Sequence, residues 1–257
     1  MPKGAGTAPL QDNKSDLVRE PFSWLTHSTL VFLRRHDELN TVSSEDHVVK
    51  IFDELYSIYG SQNWWPGETQ FETIVGAILT QNTSWHNVAK AIENLKSHKL
   101  LELNALVEAE PEFVKKLITP VGFFNVKYKR LKSVLDYLVS TELLKFSCEP
   151  VEELRDELLA INGIGPETAD SILLYAFERP IFVVDAYTRR LFSRLGYGWM
   201  EKASYDEIQR FFMESLPLDT GLYNEYHALI VMHSKILCKK KPLCLDCVMT
   251  CLMRFEG

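Results

Sequence analysis

The 257-residue sequence lacks any apolar run of the roughly 18 residues that a membrane-spanning helix needs. Its first residues also lack the basic segment, apolar stretch and small-residue cleavage site of a secretion signal. Glycine and proline are modest in number, at 12 and 11, and charged residues make up 25% of the chain, which excludes collagen-like and disordered classes. We therefore expect an intracellular globular protein, with no membrane association and with a core of its own.

Positive charge is in deficit, because 28 Lys and Arg stand against 35 Asp and Glu, for a net charge of -7. Taken alone, this argues against nucleic-acid binding, since affinity for a polyanion comes mainly from neutralising its phosphates. The basic residues are clustered, however. Each cluster alone is more often a solvated helix face, but together they predict one positively charged surface. The clusters are Lys127, Lys129, Arg130 and Lys132; Arg189, Arg190 and Arg194; and Lys235, Lys239, Lys240 and Lys241.

Apolar residues follow the helical period over most of the chain. Residues 1–45 are the exception, and we expect a largely disordered extension there. From Asp46 onward apolar residues recur at spacings of three and four, and Gly60 closes the first helix. The 180–184 stretch alone looks extended and is too short to build a sheet, so the predicted class is all-α. Further predicted helices span 71–80, 85–95, 111–117, 127–144, 151–161, 166–177, 186–195, 205–216 and 223–237.

Two glycines flank one apolar residue at Gly163, Ile164 and Gly165, just before Pro166, which suits the first position of a new helix. Glycine lets the backbone approach another surface closely. The start of the new helix offers unpaired N–H groups that can bind a phosphate, and Ile164 would anchor the turn in the core. Taken alone, the pattern also fits an ordinary connection between two helices.

Asp185 follows the extended stretch, 20 residues after Gly165. The intervening helix rises roughly 16 Å, so an extended return of similar length can bring Asp185 back beside the hairpin. A carboxylate at this place can oppose positive charge that develops on a sugar. Asp185 also opens the next predicted helix, and we expect it to be an N-cap as well.

Four of the five cysteines lie within the fourteen residues 238–251, in the spacing C-x5-C-x2-C-x3-C. Thiolates this close can enclose one Zn²⁺ or a [4Fe–4S] cluster. Zinc ribbons usually pair two C-x2-C knuckles and this segment has one, so the pattern favours iron–sulfur, with zinc as the alternative. The fifth cysteine, Cys148, is predicted to be a small buried hydrophobe. The predicted metal ligands are Cys238, Cys244, Cys247 and Cys251.

In combination, the hairpin, the V-V-D at 183–185 and the terminal cysteines resemble the helix-hairpin-helix DNA glycosylases of the endonuclease III superfamily. The resemblance implies a two-lobed all-α fold. It also implies a base-excision-repair enzyme that acts as a monomer on double-stranded DNA containing a damaged base. Within the superfamily the likeness is greatest to the 3-methyladenine DNA glycosylase III group, through W-W-P at 64–66, L-T-Q-N-T at 79–83, G-F-F-N at 122–125 and G-P-E-T-A-D at 165–170.

The resemblance also implies roles for individual residues. Asp185 would be the catalytic carboxylate, which stabilises the charged sugar, activates water, or does both. The flipped base would enter an aromatic pocket, where a cationic alkylated purine gains about 1–2 kcal/mol on a desolvated tryptophan. Without the resemblance, a Trp-Trp pair is more often core, and Gln81 is an exposed helix end. The implied pocket is Trp64, Trp65, Pro66 and Trp85, and the implied DNA contacts are Gln81, Asn82, Lys127, Gly163, Ile164, Gly165 and Arg189.

Glu167 marks a departure from the bifunctional members of the superfamily. Those members carry a lysine in the first turn of the second hairpin helix, where it forms a Schiff base with the sugar. A carboxylate cannot form that imine, so we expect hydrolysis of the glycosidic bond without strong AP-lyase activity. An acidic residue in a first turn also suits the helix dipole. The cysteine spacing departs as well, because the family pattern C-x6-C-x2-C-x5-C has two longer loops.

We expect one lobe from residues 46–70 and 186–237, and a second from 71–185 that contains the helix-hairpin-helix at 151–177. The cluster loop would follow at 238–257. Two other functions stay open. One is a glycosylase for oxidised or mismatched pyrimidines on the same scaffold. The other is a non-catalytic helix-hairpin-helix DNA-binding protein with a structural metal.

Overall fold

The computed structural model describes residues 44–65, 67–141 and 145–252, and only the main chain of residues 251 and 252. The expectations for residues 1–43, for Pro66 and for the Cys251 side chain lie outside the described residues. Within the described part the regular structure is helical, which confirms the all-α class, and no helix there is long and apolar enough to cross a membrane. The α-helices are α1 (Ser44–Tyr59), α2 (Gln70–Thr80), α3 (Trp85–Ser97), α4 (Leu103–Glu108), α5 (Pro111–Leu117), α6 (Phe124–Val139), α7 (Lys145–Cys148), α8 (Val151–Ala160), α9 (Pro166–Ser171), α10 (Ala186–Arg194), α11 (Tyr205–Ser215) and α12 (Thr220–Ile236). A π-helical turn, Ile172–Ala176, continues α9, and 3₁₀ turns cover Thr119–Val121, Gly198–Glu201, Cys244–Asp246 and Val248–Leu252.

Several helices differ from the predictions. The α6 helix runs from Phe124 to Val139 rather than over 127–144. Gly122 and Phe123 both have positive φ, at 66° and 44°, so the chain turns sharply there and the helix begins directly afterwards. The α4 helix is absent from the predictions, because six residues are too few to display a helical period.

Cys148 corrects a prediction. It ends the short helix α7, and its side chain is exposed rather than buried. The physical reason lies beside it, since Phe146 is the residue of this helix that reaches the core. The fully buried Phe146 ring stacks on Phe177 with centroids 3.8 Å apart.

The first described helix packs against the last ones rather than against its sequence neighbours. The α1 helix contacts α11 and α12. Tyr226 of α12 donates a hydrogen bond to the carbonyl of Val48 at 2.7 Å, and its ring lies 5.2 Å from that of Phe52. Helices from both ends of the described chain thus form one lobe, while α2 packs with α3, α6 and the hairpin region. The lobe boundaries at 70/71 and 185/186 stay a prediction.

The extended stretch before Asp185 runs through the interior without pairing as a strand. Phe182 is fully buried and stacks on Phe212, with centroids 4.2 Å apart. The carbonyl of Phe182 accepts a hydrogen bond from Gln209 at 2.7 Å, so a side chain supplies the partner that a neighbouring strand would supply in a sheet. This fixed path delivers Asp185 to the start of α10.

A buried ion pair holds the hairpin helices in place. Arg155 of α8 donates to Asp170 of α9 at 2.7 Å, and Asp170 is fully buried. Gln209 donates to the second carboxylate oxygen of Asp170 at 2.6 Å. Ile164 is 6% exposed, which places the hairpin's apolar residue in the core. The two glycines of the hairpin are therefore presented from a rigid base.

Candidate active site

A cleft of about 650 Å³ opens between the hairpin helix α9 and the start of α10. Glu167, in the first turn of α9, and Asp185, the N-cap of α10, both line it. Arg189, Tyr205 and Lys240 contribute to its walls. The structure thus places Asp185 beside the hairpin, the arrangement expected from the 20-residue spacing.

Asp185 is the N-cap of α10, as predicted, and forms a capping box with Thr188. Its Oδ1 atom accepts the Thr188 backbone N–H at 2.7 Å and the Thr188 hydroxyl at 3.0 Å. These two hydrogen bonds fix the orientation of the carboxylate. The second oxygen, Oδ2, lies 3.5 Å from Nε2 of His227.

The environment of Asp185 favours its charged form. Burial alone would raise the pKa of Asp185, but the neighbouring His227 and the Thr188 hydrogen bonds outweigh burial and lower the pKa below its usual value. The side chain is 11% exposed. Asp185 is therefore a nearly buried negative charge at the edge of the cleft, in the neutral pH range.

Glu167 has the opposite behaviour. Its side chain is accessible from the cleft, yet the surrounding walls desolvate the carboxyl group. This desolvation and the charge of Asp185 raise the pKa of Glu167 to about 6, against a smaller opposing effect of His227. The cleft thus contains two carboxyl groups whose pKa values are pushed apart, an arrangement typical of sites that handle protons or developing charge.

His227 and Tyr175 are site residues that the sequence does not point to. His227 lies in α12 and is 5% exposed. The Tyr175 hydroxyl lies 2.5 Å from Nδ1 of His227. Tyr175 belongs to the π-helical turn after α9. Each is one polar or aromatic residue in an apolar helix, so only their meeting beside Asp185 in the folded chain reveals them.

A second cavity, of about 830 Å³, has an aromatic wall. Trp64, Trp65 and Tyr175 line it, and Trp65 stacks on Tyr175 with centroids 5.0 Å apart at an angle of 27°. The indole N–H of Trp65 is buried without a hydrogen-bond partner among the described residues. Tyr175 therefore joins this aromatic wall to His227, which faces Asp185.

Trp85 packs behind the aromatic wall. Its ring meets Trp65 edge-on, with centroids 4.9 Å apart and an interplanar angle of 80°. Trp85 does not line the aromatic cavity and contacts the Trp65 ring from α3. Its position suits support of Trp65, and a direct contact with the base stays a prediction.

Gln81 ends α2 and is tied to the hairpin. Its Nε2 donates to the Gly163 carbonyl at 3.1 Å and to the Thr168 hydroxyl at 3.0 Å. Its Oε1 accepts from Arg130 Nη1 at 2.6 Å. The next residue, Asn82, is exposed with φ of 53°. The loop at the end of α2 and the hairpin therefore form one surface.

Lys127 does not occupy the DNA-facing position that the resemblance implies. It is 3% exposed, and its Nζ donates to the carbonyls of Leu79 and Val121, both at 2.9 Å. Burial and the nearby Arg130 lower the pKa of Lys127 to about 8. The implied DNA contact does not fit this buried position, because Lys127 bonds one carbonyl at the end of α2 and one in the turn before α6.

Phe123 is exposed in the turn that Lys127 supports. Its ring is 81% exposed, and its φ of 44° lies in the left-handed region. The Lys127 hydrogen bonds place this turn next to the end of α2, where Gln81 lies. The G-F-F-N sequence contains the residue, but a sequence cannot show that the first phenylalanine points outward while the second packs against the core.

The arginines of α10 are half-buried, line the cleft and donate to main-chain carbonyls of the protein. The Arg189 guanidinium donates to the carbonyls of Met200 and Ala203. Arg190 and Arg194 donate to main-chain carbonyls of the cysteine segment, at 2.8 Å and 2.7 Å. One donor of Arg189 thus holds the turn after α10, and its direct DNA contact stays a prediction. The exposed basic residues of the three clusters are lysines: Lys129, Lys235, Lys239, Lys240 and Lys241.

Three of the terminal cysteines line one small cavity of about 30 Å³, namely Cys238, Cys244 and Cys247. Arg194 Nη1 lies 3.3 Å from Cys238 Sγ. Burial and the neighbouring Cys238 and Cys244 thiols raise the pKa of Cys247. Among the described His, Cys, Asp and Glu side chains, no three converge closely enough to hold a single metal ion. The donors are soft thiols around one space, which suits a thiolate-bound group rather than a hard cation.

Comparisons with known proteins place the chain in a family. Residues 75–218 match the HhH-GPD superfamily of base excision DNA repair proteins. The chain is 54% identical over 204 residues to a protein of Methanocaldococcus jannaschii that is provisionally named a DNA repair glycosylase, with 78% of this chain and 92% of that protein covered. It is 32% identical over 190 residues to endonuclease III of Sulfolobus acidocaldarius, with 69% and 78% covered.

Solved structures agree. The H. pylori 3-methyladenine DNA glycosylase (MagIII), solved with bound 1,N6-ethenoadenine, superposes with a TM-score of 0.64 at 32% identity and covers 72% of this chain and 96% of its own. A non-covalent endonuclease III–DNA complex superposes with a TM-score of 0.68 at 22% identity, which concerns the fold alone, with 82% and 96% covered. The chain therefore belongs to the HhH-GPD superfamily of base excision DNA repair proteins, as a DNA glycosylase of the endonuclease III superfamily.

Proposed function

We propose that this glycosylase hydrolyses the N-glycosidic bond of an alkylated purine that is flipped from duplex DNA, and that it has no strong AP-lyase activity. The observation that carries the proposal is the pair of Glu167 and Asp185 in one cleft. Glu167 stands where bifunctional relatives carry their Schiff-base lysine. A carboxylate cannot attack the sugar to form an imine. Water is then the nucleophile that attacks the sugar.

The aromatic cavity supports an alkylated purine as the substrate. Alkylation at a ring nitrogen gives the base a positive charge, and such a cation is attracted to the faces of Trp64, Trp65 and Tyr175. The same charge makes the base a good leaving group, so little acid catalysis is needed. The H. pylori relative, at 32% identity, was solved with 1,N6-ethenoadenine.

Asp185 supplies the electrostatic part of the reaction. As the bond to the base breaks, positive charge develops on the sugar. A preorganised carboxylate that is nearly buried stabilises such charge more strongly than one in water, because the local dielectric constant is low. The lowered pKa of Asp185 keeps this group charged at neutral pH.

The hairpin and the α2 loop would hold the duplex. The backbone around Gly163 and Gly165 would bind a phosphate, which positions the DNA without reading its sequence. Gln81, Asn82 and the exposed Phe123 ring would occupy the space that the flipped base leaves, since flipping requires unstacking. The exposed lysines near the cysteine segment would add non-specific affinity that salt weakens.

A [4Fe–4S] cluster is the metal group that the cysteines fit better. Zinc ribbons usually pair two C-x2-C knuckles, and this segment has one, formed by Cys244 and Cys247. A cluster is larger than an ion and takes thiolates arranged around a volume. Cys238, Cys244, Cys247 and Cys251 would hold it, and its chemistry would be structural support of the lysine-rich loop. A brown chromophore with bound iron in purified protein is expected, and colourless protein with zinc would contradict the assignment.

Base release decides the function. Duplexes with a single alkylated purine, an oxidised pyrimidine or a mismatched pyrimidine are incubated with the full chain, and the free bases are quantified. Release of the alkylated purine alone is expected. Release of only oxidised or mismatched pyrimidines would instead identify a glycosylase for damaged or mismatched pyrimidines, as in the alternative hypothesis. Binding of all duplexes without release of any base would make it a non-catalytic DNA-binding protein.

A further inference from the structure

The Nε2 atom of His227 faces the carboxylate of Asp185. His227 is 5% exposed, and Nε2 has no regular hydrogen bond among the described residues. Oδ2 of Asp185 lies 3.5 Å away. An unpaired ring nitrogen in the interior costs free energy, so the position of this nitrogen indicates a specific interaction with the carboxylate rather than ordinary core packing.

Tyr175 fixes the orientation of the His227 ring from the other side. Its hydroxyl lies 2.5 Å from Nδ1 of His227. Burial and the charge of Asp185 raise the pKa of Tyr175 well above its usual value, so the phenol keeps its proton. With Nδ1 turned to this hydroxyl, Nε2 is the ring nitrogen that can donate an N–H to Asp185.

Both oxygens of Asp185 are thereby held. Oδ1 receives the backbone N–H and the hydroxyl of Thr188, at 2.7 Å and 3.0 Å. Oδ2 faces His227. A carboxylate with donors at both oxygens is a poor base for water, because its lone pairs are engaged and the hydrogen bonds stabilise its charged form. It remains a good stabiliser of nearby positive charge.

We propose that His227 is a positioning residue of the glycosylase reaction. It holds Asp185 in one orientation and in its charged form, so that Asp185 stabilises the developing positive charge on the sugar rather than removing a proton from water. The inference rests on the proposed function only in taking Asp185 as the catalytic carboxylate.

Two substitutions separate the two contacts of the ring. In His227→Gln the amide nitrogen stands three bonds from Cβ, as Nε2 does, and can still donate to Asp185. In His227→Asn the amide reaches only the place of Nδ1, so the Tyr175 contact is kept and the Asp185 contact is lost. Single-turnover base release from an alkylated duplex should fall on the order of 10-fold to 100-fold in His227→Asn, the range seen when a partner that orients a reactive ligand is removed. The Kd for DNA should not change, and His227→Gln should recover part of the rate.

The pH profile separates positioning from a structural role. The groups that face Asp185 are His227 of α12, Glu167 of α9, Tyr175 of the π-helical turn and Thr188 of its own helix. Glu167, whose pKa is raised to about 6, adds its own titration to the rate profile, so profiles are compared in a Glu167→Gln background. Loss of the His227 donor should raise the pKa of Asp185 and shift the acid limb of the rate profile to higher pH in His227→Asn. A purely structural loss would lower the rate without moving that limb.

Several results would overturn the proposal. One is a His227→Asn protein with the wild-type rate and acid limb, while Asp185→Asn abolishes release. Another is an acid limb that His227→Asn leaves in place while the rate falls. If the variant does not fold, ¹⁵N NMR of wild-type imidazole nitrogens still tests the account, because a proton is expected on Nε2 and an unprotonated Nε2 would refute it. If wild-type protein releases no alkylated purine, the proposed substrate fails instead, and the NMR result stays separately informative.

Discussion

Glu167 and Asp185 face the same cleft, where burial and the charge of Asp185 together raise the pKa of Glu167 to about 6. Asp185 itself is kept charged by His227 and Thr188. One acidic residue is thus fixed as an anion, while the other changes charge near pH 6. This asymmetry gives the two groups different roles, although both are carboxyl groups at helix starts.

Glu167→Lys should convert the enzyme into one that traps DNA. A lysine at this position faces Asp185 across the cleft, so its amine can attack the sugar carbon after or during base loss and form an imine. Borohydride should then reduce the imine to a stable protein–DNA adduct, seen as a slow band on a denaturing gel. Glu167→Gln is the matched control and should give no adduct. An adduct with the wild-type chain would show that another amine does lyase chemistry.

Glu167 should make stability depend on pH in a defined direction. Its pKa is about 6 in the folded chain and near its usual value of 4.5 in the unfolded chain, so the folded state binds more protons between these values. Stability from this group is therefore present below about 4.5 and is lost as pH rises through about 6. Urea unfolding of wild type and Glu167→Gln at pH 5 and pH 7.5 tests this.

The variant should gain stability relative to wild type at the higher pH. Asp53, whose pKa is also raised to about 6 by burial and Glu54, is common to both proteins and cancels in the difference. An equal difference at the two pH values would mean that Glu167 titrates as a free side chain.

Asp185→Asn should lose base release but keep DNA binding. The amide oxygen can still accept the Thr188 N–H and cap α10, so the fold should hold, while the negative charge is removed. A loss of about 100-fold to 1,000-fold in single-turnover rate is expected, as when one preorganised electrostatic group is removed. Fluorescence anisotropy with an abasic-site duplex provides the binding control. A rate within a factor of a few of wild type would exclude Asp185 as the catalytic carboxylate.

Lys127 and Lys129 should behave oppositely although they are two residues apart. Lys127→Met leaves two buried carbonyls, of Leu79 and Val121, without their donor, which should cost about 1–3 kcal/mol of unfolding free energy. Lys129 is exposed, so Lys129→Met should leave stability unchanged. If Lys129 contacts a phosphate, its loss lowers the salt dependence of binding by about one unit in the log–log slope. The reverse pattern would restore the sequence-based role of Lys127.

Much of the fold follows from local sequence. The helical period, Pro166 after the hairpin and the capping pattern at Asp185 each act within a few residues, so they predict the helices and their starts. The spacing from Gly165 to Asp185 also predicts that the two lie together, because helix rise and chain length limit where Asp185 can go. The residue that supports Asp185 comes from a distant part of the sequence. His227 lies 42 residues after Asp185, and nothing in its apolar helix marks it as different from a core histidine.

The inward hydrogen bonds of Lys127 and Arg189 have one physical cause. A basic residue near a motif looks the same in sequence whether it reaches solvent or a main-chain carbonyl. Lys127 and Arg189 each donate to two main-chain carbonyls at helix ends and turns. Their long side chains can reach these carbonyls across the surface of the fold. The net charge of -7 is thus even less informative about DNA contact than the clusters suggest, since parts of the first two clusters bond to the protein itself.

The most direct test of the central claim uses one labelled duplex with a single alkylated purine. The full chain is incubated with it, and half of each sample is then heated in alkali before a denaturing gel. We predict an intact strand without alkali and cleavage at the lesion with alkali, the result of base hydrolysis without lyase activity. A cleaved strand without alkali, or no alkali-labile site at all, would contradict the account.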